Sequence, residues 1–293
     1  MIRWPRDYGL QVRMVGTLFL LALVYFIFIA VLAYIGIDTL LLVGMVIIIL
    51  LLQYFFSDQM VLLSMGARQV TEEEEPHLYQ VLTRLCAIAG MVRPKLAIVD
   101  KAIPNAFATG RNPGHSVIAV TTGLISMLNQ EELEAVLAHE LSHVKNRDVM
   151  VITLASLIST AAFFIFRNSF MLSNSRGRGG KQNLWFLVPM VAALIWAISY
   201  LLIKALSRYR EFSADRGSAL LTGRPSQLAS ALMKISGQMN RMPTTDLRDV
   251  EGLNAFFIIP AISGSSLLEL FATHPSVEQR IEALSRLEQD IGR

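Results

Sequence analysis

The segment His139-Glu140-Leu141-Ser142-His143 has the residue types and spacing to do chemistry. Side chains four apart on a helix lie one turn from each other on one face, so both imidazoles reach a single tetrahedral metal at about 2.0–2.1 Å. Glu140 falls at a neighbouring position, where it takes a proton from an attacking water instead of ligating. With five histidines in 293 residues, chance yields this pattern in only about 0.004 chains of this composition. Zinc with an open catalytic position takes three protein ligands, and one known arrangement draws the third from a glutamate on a later helix. Glu211, in Arg208-Tyr209-Arg210-Glu211-Phe212-Ser213-Ala214-Asp215, is the candidate. Asp215, four residues on, faces the same site and can accept the free N–H of a ligating imidazole. The rival reading of that segment is a solvated helix face just past an apolar run; its pairing with the histidine motif outweighs it.

Peptide hydrolysis also needs a donor to the oxyanion, and His274 in Thr273-His274-Pro275 can supply one. The competing reading of His274 is a helix-entry residue before proline. His77 and His115 have no partner spacing and are structural or surface residues. Asn105, Ala106, Phe107 and Ala108 open a short run ending at Gly110. As an exposed edge strand, this run can pair with an extended peptide through main-chain hydrogen bonds; otherwise it is a strand and a turn.

These residues must be held by a small mixed framework. Lys95 to Asp100 and Ser116 to Thr122 are rich in Ile and Val and bounded by Pro, Gly and Asn, which predicts strands. The long segment Asn129 to Asp148 is predicted helical, with Glu131, Glu132 and Glu134 near its positive end. Thr71 to Pro76 reads as the start of a helix running to Ala89 and ended by Gly90, and Val277 to Leu287 as an amphipathic helix with a capping box at Ser276 and Gln279.

Composition places this framework at a membrane. Hydrophobic residues make up 53% of the chain and the mean hydropathy is +0.48, above what a soluble domain carries. The excess lies in four runs, near Met14 to Ile35, Thr39 to Phe56, Val149 to Phe166 and Leu184 to Ile203, each about the 20 residues that a spanning helix needs. The first is too long for a signal-peptide core and is followed at once by the second, which predicts an uncleaved hairpin. Arg3, Arg6 and Arg13 precede the first run and no basic residue lies between the first two, so the N-terminus and the stretch Ser57 to Asp148 are expected in the cytoplasm. The loop after the third run carries Arg167, Arg176, Arg178 and Lys181. Simple alternation puts that loop outside, so either the rule fails there or runs three and four do not both cross. The single cysteine, Cys86, excludes an internal disulfide, and scattered basic residues without interleaved aromatics exclude nucleic acid as a partner.

Taken in order, the run Asn105 to Gly110, the segment Glu132 to His143, Glu211 to Asp215 and Thr273 to Pro275 resemble the membrane zinc metalloproteases that include bacterial HtpX and the CaaX prenyl protease. The resemblance covers almost the whole chain. It implies a mainly α membrane protein with a zincin-like (gluzincin) catalytic domain, a small β-sheet and four hydrophobic helices. It also implies one Zn2+ per chain held by His139, His143 and Glu211, with Glu140 as general base. Catalysis is expected on the cytoplasmic side of a multi-pass inner-membrane protein that degrades misfolded membrane proteins or other unfolded polypeptides. The expected division is a transmembrane hairpin at 1–56, the first catalytic part at 57–148, two hydrophobic helices at 149–206 around a Gly/Arg/Ser-rich loop at 167–183, and the second catalytic part at 207–293. Glu211 follows Ile203 by eight positions, which at about 1.5 Å per helical residue sets the metal on the order of 10 Å from the membrane face. Three rivals are weaker. Charges between Glu131 and Asp148 are too many for an intramembrane site, a non-proteolytic zinc scaffold or chaperone would not need Glu140, and a transporter would need ionisable residues along its helices.

Overall fold

The four apolar runs are helical where the computed structural model describes them, and it describes residues 8–35, 39–173, 187–239 and 275–291. The first two form α1 (Tyr8–Ile35) and α2 (Thr39–Met65). They lead into β1 (Ala67–Val70), α3 (Pro76–Ala89), β2 (Lys95–Val99), β3 (Ala106–Thr109), a 3-10 turn at Pro113–His115, β4 (Val117–Thr121), α4 (Thr122–Met127) and α5 (Gln130–Asn146). The third run lies in α6 (Asp148–Ser173), the fourth in α7 (Leu187–Thr222), and α8 (Pro225–Met239) and α9 (Val277–Ile291) complete the described chain. Among the described residues, three stretches are long and apolar enough to cross a membrane: Tyr8–Tyr34, Asp148–Arg167 and Leu187–Thr222.

The chain divides into two units. One comprises the described parts of Tyr8–Phe55 and Val151–Leu206. Within it, Phe28 and Leu32 of α1 pack with Ala162 of α6 and with Ala192 and Ile195 of α7. The small side chains allow close helix approach, which is how helices associate where lipid removes the hydrophobic drive. The Tyr25 hydroxyl donates to the Ala155 carbonyl, joining α1 to α6. Large apolar side chains such as Val12, Phe19 and Phe26 face outward, as lipid contact requires.

The other unit comprises the described parts of Phe56–Met150 and Ser207–Arg293. Its sheet has the order β1-β2-β4-β3. The strand β2 pairs in parallel with β4, Lys95 opposite Val117, while β1 and β3 pair antiparallel with β2 and β4. Every residue of β4 is buried. At the far end of the sheet, β3 packs beside α5. Thr121 fixes the entry to β3: its backbone N–H and its hydroxyl both donate to the Asn105 carbonyl, and the hydroxyl accepts from the Asn105 N–H at 2.8 Å. Gly110 closes the strand with φ at 129°, where an added Cβ would lie 2.4 Å from the His115 carbonyl oxygen.

Two expectations change. The acidic run Glu72 to Glu75 precedes α3 as a turn instead of forming its first turn. Ion pairs from Arg68 to Glu74 and from Arg93 to Glu72 hold it, with Pro76 at the start of the helix and Gly90 as its left-handed cap. The loop expected at 167–183 begins later, because α6 continues to Ser173; nothing between Phe166 and Ser173 is a Gly or Pro that would stop it. The rest of that loop lies outside the described residues.

Two helices that position the site are tied together by Glu132. With Asn129 it forms a capping box at the start of α5, and its carboxylate also accepts from Ser230 and Lys234 of α8, each at 2.7 Å. Burial opposes its ionisation, but Lys234, Ser230 and the Asn129 N–H outweigh that and hold the carboxyl below its ordinary value of 4.5. A lowered folded value means that its stabilisation is complete above the unfolded value and disappears as pH falls through the folded one. Glu132→Gln is expected to lower the thermal midpoint of the detergent-solubilised chain by a few degrees at pH 7, equivalent to about 1–2 kcal/mol. That gap should close as pH falls below about 4.5. A gap constant from pH 7 to pH 3 would contradict this account.

Candidate metal centre

The site grows from α5. Its capped N-terminus and apolar packing leave one polar stripe pointing inward, and His139, Glu140 and Ser142 are all buried in it. The helix α7 runs antiparallel beside it. Ser218 donates to the Ala135 carbonyl at 2.6 Å and Asn146 to the Ser213 hydroxyl at 3.3 Å. Ala135, Ala138, Ala214 and Ala219 are fully buried on the two helices, and their small side chains allow a close approach. The result brings Glu211 opposite the histidines.

His139 Nε2 and His143 Nε2 lie 3.1 Å apart, and the Glu211 carboxylate reaches within 3.6 Å of the first and 3.5 Å of the second. Ligands about 2.0–2.2 Å from a tetrahedral metal stand about 3.3–3.6 Å from one another; the Glu211 contacts, one through each carboxylate oxygen, are of that order, and the two imidazole nitrogens lie slightly closer together. Their protonation points the same way. Each ring turns its Nδ1 to a carboxylate, His139 to Asp215 at 3.0 Å and His143 to Asp148 at 2.5 Å. A proton on Nδ1 leaves a lone pair on Nε2. Two lone pairs and a carboxylate therefore converge on one point, which suits a cation.

Charge balance adds a separate test of fit. Glu140, Asp148, Glu211 and Asp215 are buried together with Arg210 and Arg280; four negative and two positive groups leave 4 − 2 = 2 negative charges with the histidines neutral. A divalent cation cancels them. Without one, the cluster is relieved by a proton. Burial disfavours charge on His139, yet Asp215 and Glu211 reverse this and raise it to about 9, while burial lowers His143 to about 4. Burial also raises the Glu140 carboxyl above its ordinary range, against the pull of His139 and His143. Among the described residues Glu140 has no hydrogen-bond partner.

Of the site residues expected from sequence, the fold brings His139, His143, Glu211, Asp215 and Glu140 together. Asn105 to Ala108 enter and form β3, the terminal strand, but Asn105, Ala106 and Phe107 are buried, so it is an edge in the sheet order without the exposure expected of it. His274 lies outside the described residues. Three participants have no counterpart in the sequence reading. Arg280 of α9 grips Asp215 with two contacts, Nη2 to Oδ1 at 2.6 Å and Nε to Oδ2 at 2.9 Å, and its Nη1 lies 3.4 Å from Glu211. Asp148 orients His143, and Arg210 pairs with Asp148. Asp148 reaches back because Arg147 adopts a left-handed conformation, φ 57°, between α5 and α6. Arg280 did leave a signal: it sits at the i, i+3, i+4, i+7 positions of Val277, Ile281 and Leu284, a charge on the apolar stripe of an amphipathic helix.

The chain is similar to known proteins. The sequence model of peptidase family M48 matches residues 72–288. The chain is 56% identical to protease HtpX homolog 2 of Methanosarcina mazei over 290 residues, 99% of either chain, and 55% identical to that of Methanosarcina acetivorans over 292 residues, again 99% of each. A more distant relative, the protease HtpX homolog of Pyrococcus furiosus, is 39% identical over 249 residues, covering 80% of this chain and 81% of the relative. The crystal structure of S. mikatae Ste24p shares the fold with a TM-score of 0.57 at 18% identity, over 94% of this chain and 65% of its own longer chain.

Proposed function

Since this chain belongs to peptidase family M48, we propose that it is a zinc-dependent endopeptidase of the cell inner membrane that cuts misfolded membrane proteins and other unfolded polypeptides. The observation that carries the zinc reading is the convergence of His139, His143 and Glu211, with ligand atoms within 4.8 Å of one another, beside a buried glutamate. Two imidazoles and one carboxylate are a donor set that zinc takes in hydrolytic sites with an open fourth position. The bound metal supplies Lewis acidity, making water a nucleophile near neutral pH and polarising the scissile carbonyl.

The chain's own groups do the remaining work. Glu140 takes the proton of the attacking water and returns it to the leaving nitrogen, and burial, which raises its carboxyl, makes it a stronger base than a surface glutamate. Asp215 and Asp148 hold the two imidazoles in the tautomer that presents Nε2 inward. Asn105 to Ala108 are assigned to hold the substrate backbone, a role that the terminal position of β3 supports. His274 is assigned to the developing oxyanion. His274→Phe should lower kcat by about 10²-fold or more with zinc content unchanged; loss of zinc instead would make His274 a ligand.

The arginines ahead of the first span support a catalytic unit facing the cytoplasm, and helices of spanning length support a multi-pass anchor. The test is cleavage of casein and of a destabilised membrane protein by the purified full chain. Chelator should stop both reactions, and equimolar zinc, but not magnesium, should restore them. Undiminished cleavage by protein shown to be metal-free would reject the reading.

A further inference from the structure

Among the described residues, Arg280 is the one fully buried arginine that touches both a candidate metal ligand and the carboxylate orienting another. It is 1% exposed, on a helix more than sixty residues beyond Asp215 in the chain, and its contact with Asp215 is the two-pronged fork that fixes a carboxylate in plane. One oxygen of that carboxylate, Oδ1, faces His139 Nδ1 at 3.0 Å and takes the Arg280 Nη2 contact. The third guanidinium nitrogen reaches Glu211 Oε2. No other described group of α9 touches the cluster with a charge.

We propose that Arg280 is a positioning residue for the metal centre: through Asp215 it sets the plane of His139, and through its contact with Glu211 it holds the third ligand in register, so that docking of the C-terminal helix completes the site. The proposal rests on the assignment of His139, His143 and Glu211 as the ligands. The fork fixes Asp215 directly; His139 meets that fixed carboxylate, and Glu211 meets the remaining guanidinium nitrogen. A lysine carries the same charge but is a single point donor, so it neutralises Asp215 without fixing its plane. The charge part and the geometric part of the role are thereby separable.

The experiment is zinc affinity by competition with a chromogenic chelator, measured on the full chain in detergent for wild type, Arg280→Lys, Arg280→Gln, Asp215→Asn and the double variant Arg280→Gln/Asp215→Asn. The thermal midpoint of each is taken without metal. A partner one shell out from a metal is worth 10–100-fold in affinity. Arg280→Gln and Asp215→Asn should each weaken zinc by that much, and the double variant by no more than the worse single, because both break the same chain of contacts. Arg280→Lys should keep the metal-free midpoint of wild type yet still weaken zinc about tenfold. Wild-type affinity in Arg280→Lys together with effects that multiply in the double variant would overturn the proposal and leave Arg280 as a stabiliser of α9 alone. Should Arg280→Gln fail to fold, Arg280→Lys and Asp215→Asn decide by themselves. Failure of the ligand assignment looks different: wild type would then bind no zinc, or His139→Ala would bind it as tightly.

Discussion

Glu140→Gln is expected to abolish peptide cleavage, lowering kcat by about 10²–10⁴-fold, while the protein keeps one zinc per chain and its thermal midpoint. Glutamine has the shape of glutamate and cannot take a proton. Glu140 has no described hydrogen bond to lose, and it is 3% exposed, so removing its charge relieves burial instead of breaking a contact. The variant thus separates chemistry from binding: kcat and kcat/KM should fall together, as for a group that acts in the transition state. Casein digestion with metal analysis on the same sample is the measurement. Equal cleavage by both proteins would remove Glu140 from the mechanism and revive a zinc scaffold that needs no base.

Loss of a ligand should behave in the opposite way. His143→Ala and Glu211→Gln are expected to weaken zinc by more than about 10²-fold, beyond the 10–100-fold of an outer partner, and to lose activity with it. The reason is that each variant removes one of the three groups whose ligand atoms converge on the metal position. In the wild type, zinc at a hundred times its Kd should stabilise the fold by about 2.7 kcal/mol, read as an upward shift of the thermal midpoint. In the two variants the shift should be absent at that concentration. A ligand variant that kept both the zinc-dependent shift and the activity would show that the metal sits elsewhere.

How much of this was legible beforehand depends on how far each relationship reaches along the chain. The pair His139 and His143 is readable because a helix alone sets their spacing, and the same holds for the cap at Asn129 and for Glu211 with Asp215 on α7. The strands β2 and β4 are readable because each carries Ile and Val in a short apolar run between turn formers. By contrast β1 is four residues long with Arg68 and Gln69 exposed, too short for a pattern, and it exists as a strand because β2 offers it a partner. The acidic run before α3 carries the composition of a helix start, yet Glu74 and Glu72 pair with Arg68 and Arg93, which local propensity cannot foresee.

The centre divides in the same way. Residue types and helical spacing determine by themselves that this chain has a metal motif, a candidate third ligand, and apolar runs long enough for a membrane. Only the tertiary structure decides that Nε2 of both histidines faces inward, because that choice is made by carboxylates at Asp215 and Asp148 and by the arginines that hold them. Arg280 reaches Asp215 from sixty-five positions away, and Asp148 reaches His143 only through the left-handed turn at Arg147. Spacing along one helix is a local property of the backbone. Which charge neutralises which inside a buried cluster is settled by packing, since burial makes every unpaired charge expensive and leaves one arrangement in which all are met once a divalent cation is counted.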